Sequence, residues 1–235
     1  MQTDIIANYR KVEDRVRAAA ERAGRDPKEI TLIAVSKTKP LSDIETLAAA
    51  GVMEFGENKP QELKEKYDNI SRPVHFHQIG HLQTNKIKYV IERAVMIHSV
   101  DSLHLAEAIE KEAEKRGVTA DILIEVNEAG EETKFGVSRE ETMQLVRDIS
   151  RLPHIRIHGL MTIAPFVDDP EENREVFRAI KQLSLDIKSE SIDNVDMSVL
   201  SMGMTNDFEV AIEEGATMVR VGTAIFGARN YEITL

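Results

Sequence analysis

The stretch at residues 31–40, "TLIAVSKTKP", opens with five mostly apolar residues and closes in Ser36, Lys37, Thr38, Lys39 and Pro40. So short a run of β-branched and aliphatic residues reads as a buried strand, and the polar residues before Pro40 mark its passage into a loop. A lysine stands where that strand meets the loop, and the rest of the chain supplies its setting.

Outward from this stretch, similar short runs recur near Val52–Phe55, Val74–Ile79, Val95–Val100, Ala120–Val126, Ile155–Met161, Met197–Leu200 and Met218–Val221, which with Thr31–Val35 makes eight. Longer runs of helical period lie between them. Asp101 or Ser102 is placed to cap a helix that Gly117 ends, Pro170 follows Asp169 at a first-turn position, and Thr205 or Asn206 opens a helix closed by Gly215. Val176, Ile180, Leu183 and Ile187 form one apolar stripe. Before the first strand, Ile5, Tyr9, Val12, Val16, Ala19 and Ala23 recur at helical steps up to Gly24. Strict βα alternation implies parallel strands, and eight of them predict an α/β chain folded as a closed (β/α)8 TIM barrel, with an open doubly wound sheet as the alternative. No linker or composition break divides the sequence, so one domain is expected over 1–235, with an N-terminal helix at 1–24 and the barrel at 30–230.

Composition narrows the function classes. Acidic residues number 41 against 30 basic ones, a net charge of −11, which disfavours nucleic acid as a partner. The absence of cysteine removes disulfides, thiolate nucleophiles and cysteine-ligated metals, and suits a reducing compartment. The N-terminal residues carry charges every few positions, so neither a signal peptide nor a membrane span is expected there, and a cytoplasmic protein is.

In a barrel, function gathers where strands run into their following loops. Those junctions are Ser36-Lys37-Thr38, Gly56-Glu57-Asn58, Gly80-His81, Asn127, Met161-Thr162, Ser201-Met202-Gly203 and Gly222-Thr223. The loops after strands seven and eight combine glycine with a hydroxyl residue before a helical start, the usual position for a phosphate in this fold. Each glycine alone is a turn residue; two adjacent loops of the same chemistry favour a phosphate site. Closure would set Lys37 beside it. A lysine partly desolvated near Arg220 or Lys39 keeps more of its amine neutral, able to attack an aldehyde and form a Schiff base. Phosphate plus aldehyde describes pyridoxal 5′-phosphate or a phosphorylated sugar. Arg220, inside the last strand, has a plainer role open to it as an ion-pair partner of an acidic residue such as Glu57. His75 and His77 share a strand face, but no ligand at another strand end completes a metal site, so a structural role is expected.

The motifs "AVSKTKP" (34–40), "FGENKPQE" (55–62), "IGHLQTNK" (79–86), "ETKFGV" (132–137), "HGLMTI" (158–163), "LSMGMTND" (200–207) and "VRVGTAIFG" (219–227) together resemble the YggS/PROSC-type pyridoxal phosphate homeostasis proteins, whose barrel is similar to the N-terminal domain of alanine racemase. The resemblance implies that Lys37 forms the internal aldimine, that Ser201, Gly203, Gly222 and Thr223 cradle the phosphate, and that Asn58 and Met161 belong to the cofactor site. By similarity to the racemase R-x-G pattern, Arg220 would face the pyridine nitrogen, where a guanidinium donates without giving up its proton and leaves the ring a weaker electron sink. Roles for His81, Lys86 and Lys134 stay open. Gln78 stands where an aromatic is expected in many relatives, which bears on local packing.

The resemblance also separates carrier from enzyme. Racemases place acid/base groups on both faces of the cofactor, one of them from a C-terminal β domain, and only 13 residues follow Gly222 here. Their strand-six "T-H-F" appears as Thr162-Ile163-Ala164. Storage and handover of the cofactor are therefore expected without catalytic turnover, with pyridoxal-phosphate-requiring apo-enzymes as partners and a monomer as the simplest state. An amino-acid racemase is the alternative, and a Schiff-base aldolase for a phosphorylated sugar is a third reading.

Overall fold

The computed structural model describes residues 4–130 and 135–227. A long helix, α1 (Ile5–Arg22), precedes β1 (Thr31–Val35). There follow α2 (Leu41–Ala49), β2 (Glu54–Glu57), α3 (Pro60–Asn69), β3 (His75–Gln78), β4 (Ala94–Val100), α4 (Leu103–Arg116), β5 (Ala120–Glu125) and α5 (Arg139–Ile149). The chain then forms β6 (Ile155–Met161), α6 (Arg174–Ser189), β7 (Val195–Ser201), α7 (Phe208–Glu213), β8 (Met218–Val221) and α8 (Thr223–Phe226). All eight strands pair in parallel and close into a barrel, so the closed architecture holds and the open sheet does not.

The expected strands lie within a few residues of the observed ones, and the helix signals act where the chain needs them. Ser102 Oγ accepts from Leu105 N, and Gly117 ends α4 at φ 65°. Two expectations are corrected. The β3-to-β4 crossover is a 3-10 segment, Thr84–Tyr89, and not an α-helix. The helix after β7 begins beyond Thr205 and Asn206, because Asp207 accepts from Met204 N at 2.7 Å and tightens that stretch into a turn before α7 starts. Pro170 opens a single 3-10 turn that leads into α6, whose buried stripe uses Phe177 with Ile180, Leu183 and Ile187, while Val176 packs at its margin.

Closure rests on β1 against β8, in the register Leu32 to Val219, Ile33 to Arg220 and Ala34 to Val221. The helices following β7 and β8 are too short to cover that seam, and α1 covers it. It packs against α2, α7 and α8, burying Ile5, Tyr9, Val12, Val16, Ala19 and Ala20. Arg25, just past its end, donates to the carbonyls of Ile212 and Ala216 at 2.8 Å each, and Asn8 reaches Ile225 O. The N-terminal helix thus lies on a flank of the barrel.

The β6–β7 pair shifts register between Ile157 and Gly159, and the strands press together there. A Cβ on Gly159 would lie 1.8 Å from Val199 O, a backbone atom that cannot rotate away. Gly159→Ala should therefore lower the unfolding free energy by about 3 kcal/mol, read as a fall in the urea midpoint. A loss under about 1 kcal/mol would show that β6 and β7 separate without cost.

Candidate functional site

A cavity of about 660 Å³ opens at the C-terminal ends of the strands. Lys37, Asn58, Glu125, Arg220, Gly222 and Thr223 all face it. Five of the eight residues named from sequence therefore share one space: Lys37, Asn58, Arg220, Gly222 and Thr223. The rim carries Phe135, Ile163, Phe166 and Met204, all exposed.

The lysine loop is held from behind. Lys66 Nζ, on α3 and buried, donates to Ser36 O (2.8 Å), Glu57 Oε1 (2.7 Å) and Glu62 Oε1 (2.7 Å). Ser36 Oγ also donates to Glu57, and Thr38 N donates to Glu62 at 2.6 Å. The residues on both sides of Lys37 are thereby tied to one ammonium group. This tie holds Thr38 at φ 63°, in the left-handed region a threonine rarely adopts. Burial pushes the Glu57 carboxyl above its ordinary pKa, with Lys66 and Ser36 opposing. Lys39 does not enter the cavity floor; its Nζ bonds Phe226 O at 3.1 Å.

Arg220 is the other cation of the site, and it is buried. Nη1 donates to Ser201 O (2.7 Å) and Ser201 Oγ (2.6 Å), and Nη2 donates to Thr162 O (2.8 Å). No carboxylate touches it among the described residues, so the ion pair with Glu57 is not formed; Glu57 belongs to Lys66. Burial brings the Arg220 pKa down to about 10, with Glu125 and Asp207 opposing, so the guanidinium is still charged at neutral pH. Glu125 is pushed up to about 7 by burial, then by Asp101, with Arg220 pulling the other way.

Three of the residues read as binding residues stand elsewhere. Ser201 is fully buried, and its hydroxyl is committed to Arg220 and His98 and supports the arginine. Gly203 packs against α7, where a Cβ would lie 2.6 Å from Ala211 Cβ, and its carbonyl accepts from Arg220 N. Met161 is buried in the core at the end of β6. The loop after β7 lines the cavity instead with Met204, Thr205, Asn206 and Asp207, set by Asp207 bonding Met204 N and Asn173. Gly222 is needed where it stands: a Cβ would meet Val35 Cβ and Val35 O at 3.3 Å, so a side chain would wedge β8 from β1.

Gln78 is buried and stitches loops together, its amide donating to Asn58 O and Gly80 O at 2.9 Å. Gly80 lets the loop after β3 lie on Asn58, whose Cα a Cβ would approach to 2.7 Å. His81 lines the cavity and stacks on Phe135, with ring centroids 3.8 Å apart. Lys86 sits over the Tyr89 ring at 5.7 Å, and Lys134 lies outside the described residues. His75 and His77 both bond Glu54, His77 also bonds His98, and no cluster of potential metal ligands is found among the described residues. Sequence reasoning passed over Glu125, Asp207 and Lys66: the first ends a strand as an ordinary alternating residue, and the other two act only through contacts that spacing does not show.

Residues 7–230 match the family described as alanine racemase, N-terminal domain. A pyridoxal phosphate homeostasis protein of Aquifex aeolicus is 45% identical over 94% of this chain and 96% of its own length. One of Escherichia coli is 39% identical over 97% of this chain and 98% of its own. The structure of PipY from Synechococcus elongatus with pyridoxal phosphate bound superposes with a TM-score of 0.79 at 31% identity, covering 91% of this chain and all of that one (100%). An alanine racemase of Clostridium difficile, 16% identical, shares the fold with a TM-score of 0.74, and this chain covers 58% of its length. By motifs, barrel and near-full-length similarity, the chain belongs to the pyridoxal phosphate homeostasis proteins, within the alanine racemase N-terminal domain family.

Proposed function

We propose that this protein holds pyridoxal 5′-phosphate through Lys37 and takes part in keeping that cofactor available, without catalytic turnover of its own. The observation that carries the reading is the meeting of Lys37 and Arg220 in one cavity, the arginine buried and bonded only to neutral oxygens. A buried cation with no carboxylate in contact is costly unless a ligand supplies acceptors. The donor set fits the cofactor: an amine for the aldehyde, a guanidinium for the ring nitrogen, and the Gly222-Thr223 opening of α8 for the phosphate. When bound, the cofactor supplies an electrophilic carbon and an electron-withdrawing ring.

Lys37 would hold the cofactor at its aldehyde carbon, which supplies an electrophilic centre open to exchange with water or with another amine. Arg220 keeps its proton and so donates to the ring nitrogen without charging it, which suits holding over carbanion chemistry. Among the described residues, the titratable ones lining the cavity are Lys37, His81, Glu125, Asp207 and Arg220, with no tyrosine. Asp207 is already committed to Asn173 and Met204 N. The exposed rim favours handover to apo-enzymes over the two-sided enclosure a racemase needs. A monomer in the cytoplasm completes the proposal; no helix of the described residues is long and apolar enough to cross a membrane.

Lys37→Ala should fold as the parent does and lose the borohydride-trapped cofactor adduct together with the visible absorbance. An adduct retained at full stoichiometry, mapped by peptide mass to Lys39 or Lys134, would overturn the assignment. Lys66→Met removes the cation beneath the lysine loop and leaves Glu57 buried without its partner; a stability loss of about 3 kcal/mol is expected, with slower uptake of the cofactor. Unchanged uptake in a destabilised variant would show that the tie serves the fold alone.

Glu125 gives a pH signature in the cofactor-free protein. Its folded pKa of about 7 stands above the usual 4.5, so its burial is favourable only while protonated. That contribution is complete below the unfolded value and is lost as pH rises through the folded one. Glu125→Gln should therefore be more stable than the parent by about 3 kcal/mol at pH 8, the gap closing towards pH 4. Denaturant melts across that range check it, and a constant gap would locate the effect in packing.

A further inference from the structure

A string of hydrogen bonds crosses the barrel beneath the cofactor cavity. Arg220 Nη1 reaches Ser201 Oγ at 2.6 Å, Ser201 Oγ lies 2.9 Å from His98 Nδ1, His98 Nε2 lies 2.9 Å from His77 Nδ1, and His77 Nε2 lies 2.9 Å from Glu54 Oε2. His98 stands on β4 and Ser201 on β7, strands that are not neighbours, so their bond spans the lumen. Branched apolar layers usually fill that space in this fold. The two imidazoles meet edge to face, and His98, His77 and Ser201 are all buried.

The chemistry of the two ends sets the direction of every bond between them. A guanidinium only donates and an ionised carboxylate only accepts. Ser201 Oγ accepts a hydrogen bond from Arg220 Nη1–H, and its own hydrogen has one remaining neighbour, His98 Nδ1. With Nδ1 accepting, the neutral His98 ring carries its proton on Nε2 and donates to His77 Nδ1. His77 then carries its proton on Nε2 and donates to Glu54. The opposite direction would leave the serine hydrogen without an acceptor and turn a bare His77 nitrogen towards a carboxylate. Burial first, with the Arg220 charge adding to it, holds His98 well below the ordinary imidazole pKa, which keeps that ring neutral. At the far end, the hydrogen bonds from His77 and His75 oppose burial and keep Glu54 below its ordinary value, hence ionised.

We propose that Glu54, His77, His98 and Ser201 form a one-directional relay that presents a lone pair to Arg220 and thereby aims its free N–H groups into the cavity, making His98 and His77 positioning residues for recognition of the cofactor ring nitrogen. The relay fixes the orientation of the groups around the buried arginine while every atom that touches it stays neutral, its counter-charges Glu125 and Asp207 acting from further away. The direction of the bonds stands on the structure alone; its consequence for binding rests on the pyridoxal phosphate reading.

The test has two readouts on the isotope-labelled full chain. Imidazole nitrogen NMR without added cofactor should show His77 and His98 both as neutral rings protonated on Nε2. A proton on Nδ1 of either ring, or a charged His98, overturns the relay, and this holds even if the protein takes up no pyridoxal phosphate and the functional reading fails. The second readout compares His98→Leu with His98→Asn, whose side-chain oxygen can accept where Nδ1 does. His98→Leu should weaken pyridoxal phosphate binding about tenfold and shift the absorbance of the bound cofactor, while His98→Asn should keep both near the parent. Equal losses in the two variants would mean that His98 only fills space, and would overturn the positioning role.

Discussion

The site depends on the parallel pairing of β1 with β8. The register that sets Ile33 beside Arg220 carries β1 into the lysine loop and β8 into Gly222-Thr223 at the same height, so amine, guanidinium and the Gly222-Thr223 turn share a rim. A slip of one residue would reverse the side on which each strand places its side chains and turn Arg220 out of the lumen. Much of the remaining architecture guards that seam. Gly222 keeps β8 close to Val35, Lys39 ties the β1 loop to Phe226 O, and α1 lies across the outside where α7 and α8 are too short to reach.

The two buried cations near the cavity are stabilised differently. Lys66 has two carboxylates in contact and serves the backbone around Lys37. Arg220 has only carbonyls and a hydroxyl, with carboxylates acting from further away. The first arrangement completes itself within the protein, and the second leaves binding capacity for a guest. By contrast, the network of Arg174, Arg178, Glu213 and Glu214 lies part-buried on the outside of the barrel, where it joins α6 to the end of α7.

Local signals in the sequence are legible because local physics produces them. Apolar runs gave the strands, Ser102 and Gly117 marked α4, and Lys37, Asn58, Arg220 and Gly222 stood at strand ends where barrel function collects. What spacing could not show was the orientation of a hydroxyl or the reach of a long side chain. Ser201 sits in a glycine loop that looks like a phosphate cradle, yet its Oγ turns inward because Arg220 and His98 offer it both a donor and an acceptor. His77 shares a strand face with His75 without completing a metal site, and its partner is legible only once β4 brings His98 beside it. Thr205 and Asn206 carry capping side chains, but Asp207 outcompetes them for the backbone of that turn.

Because the barrel closes between its first and last strands, its contacts are among the most distant in the chain; Lys39 and Phe226, 187 residues apart, touch across the seam. During synthesis, the lysine loop emerges early and waits at an open sheet edge until β8 has been made. Contacts of such long range form late in folding, after the local βα units have collapsed. No partly built barrel contains both the amine and the guanidinium. Ligand capture is thereby restricted to finished molecules, and a bound guest adds its own free energy to the last strand pairing, locking the ring from inside.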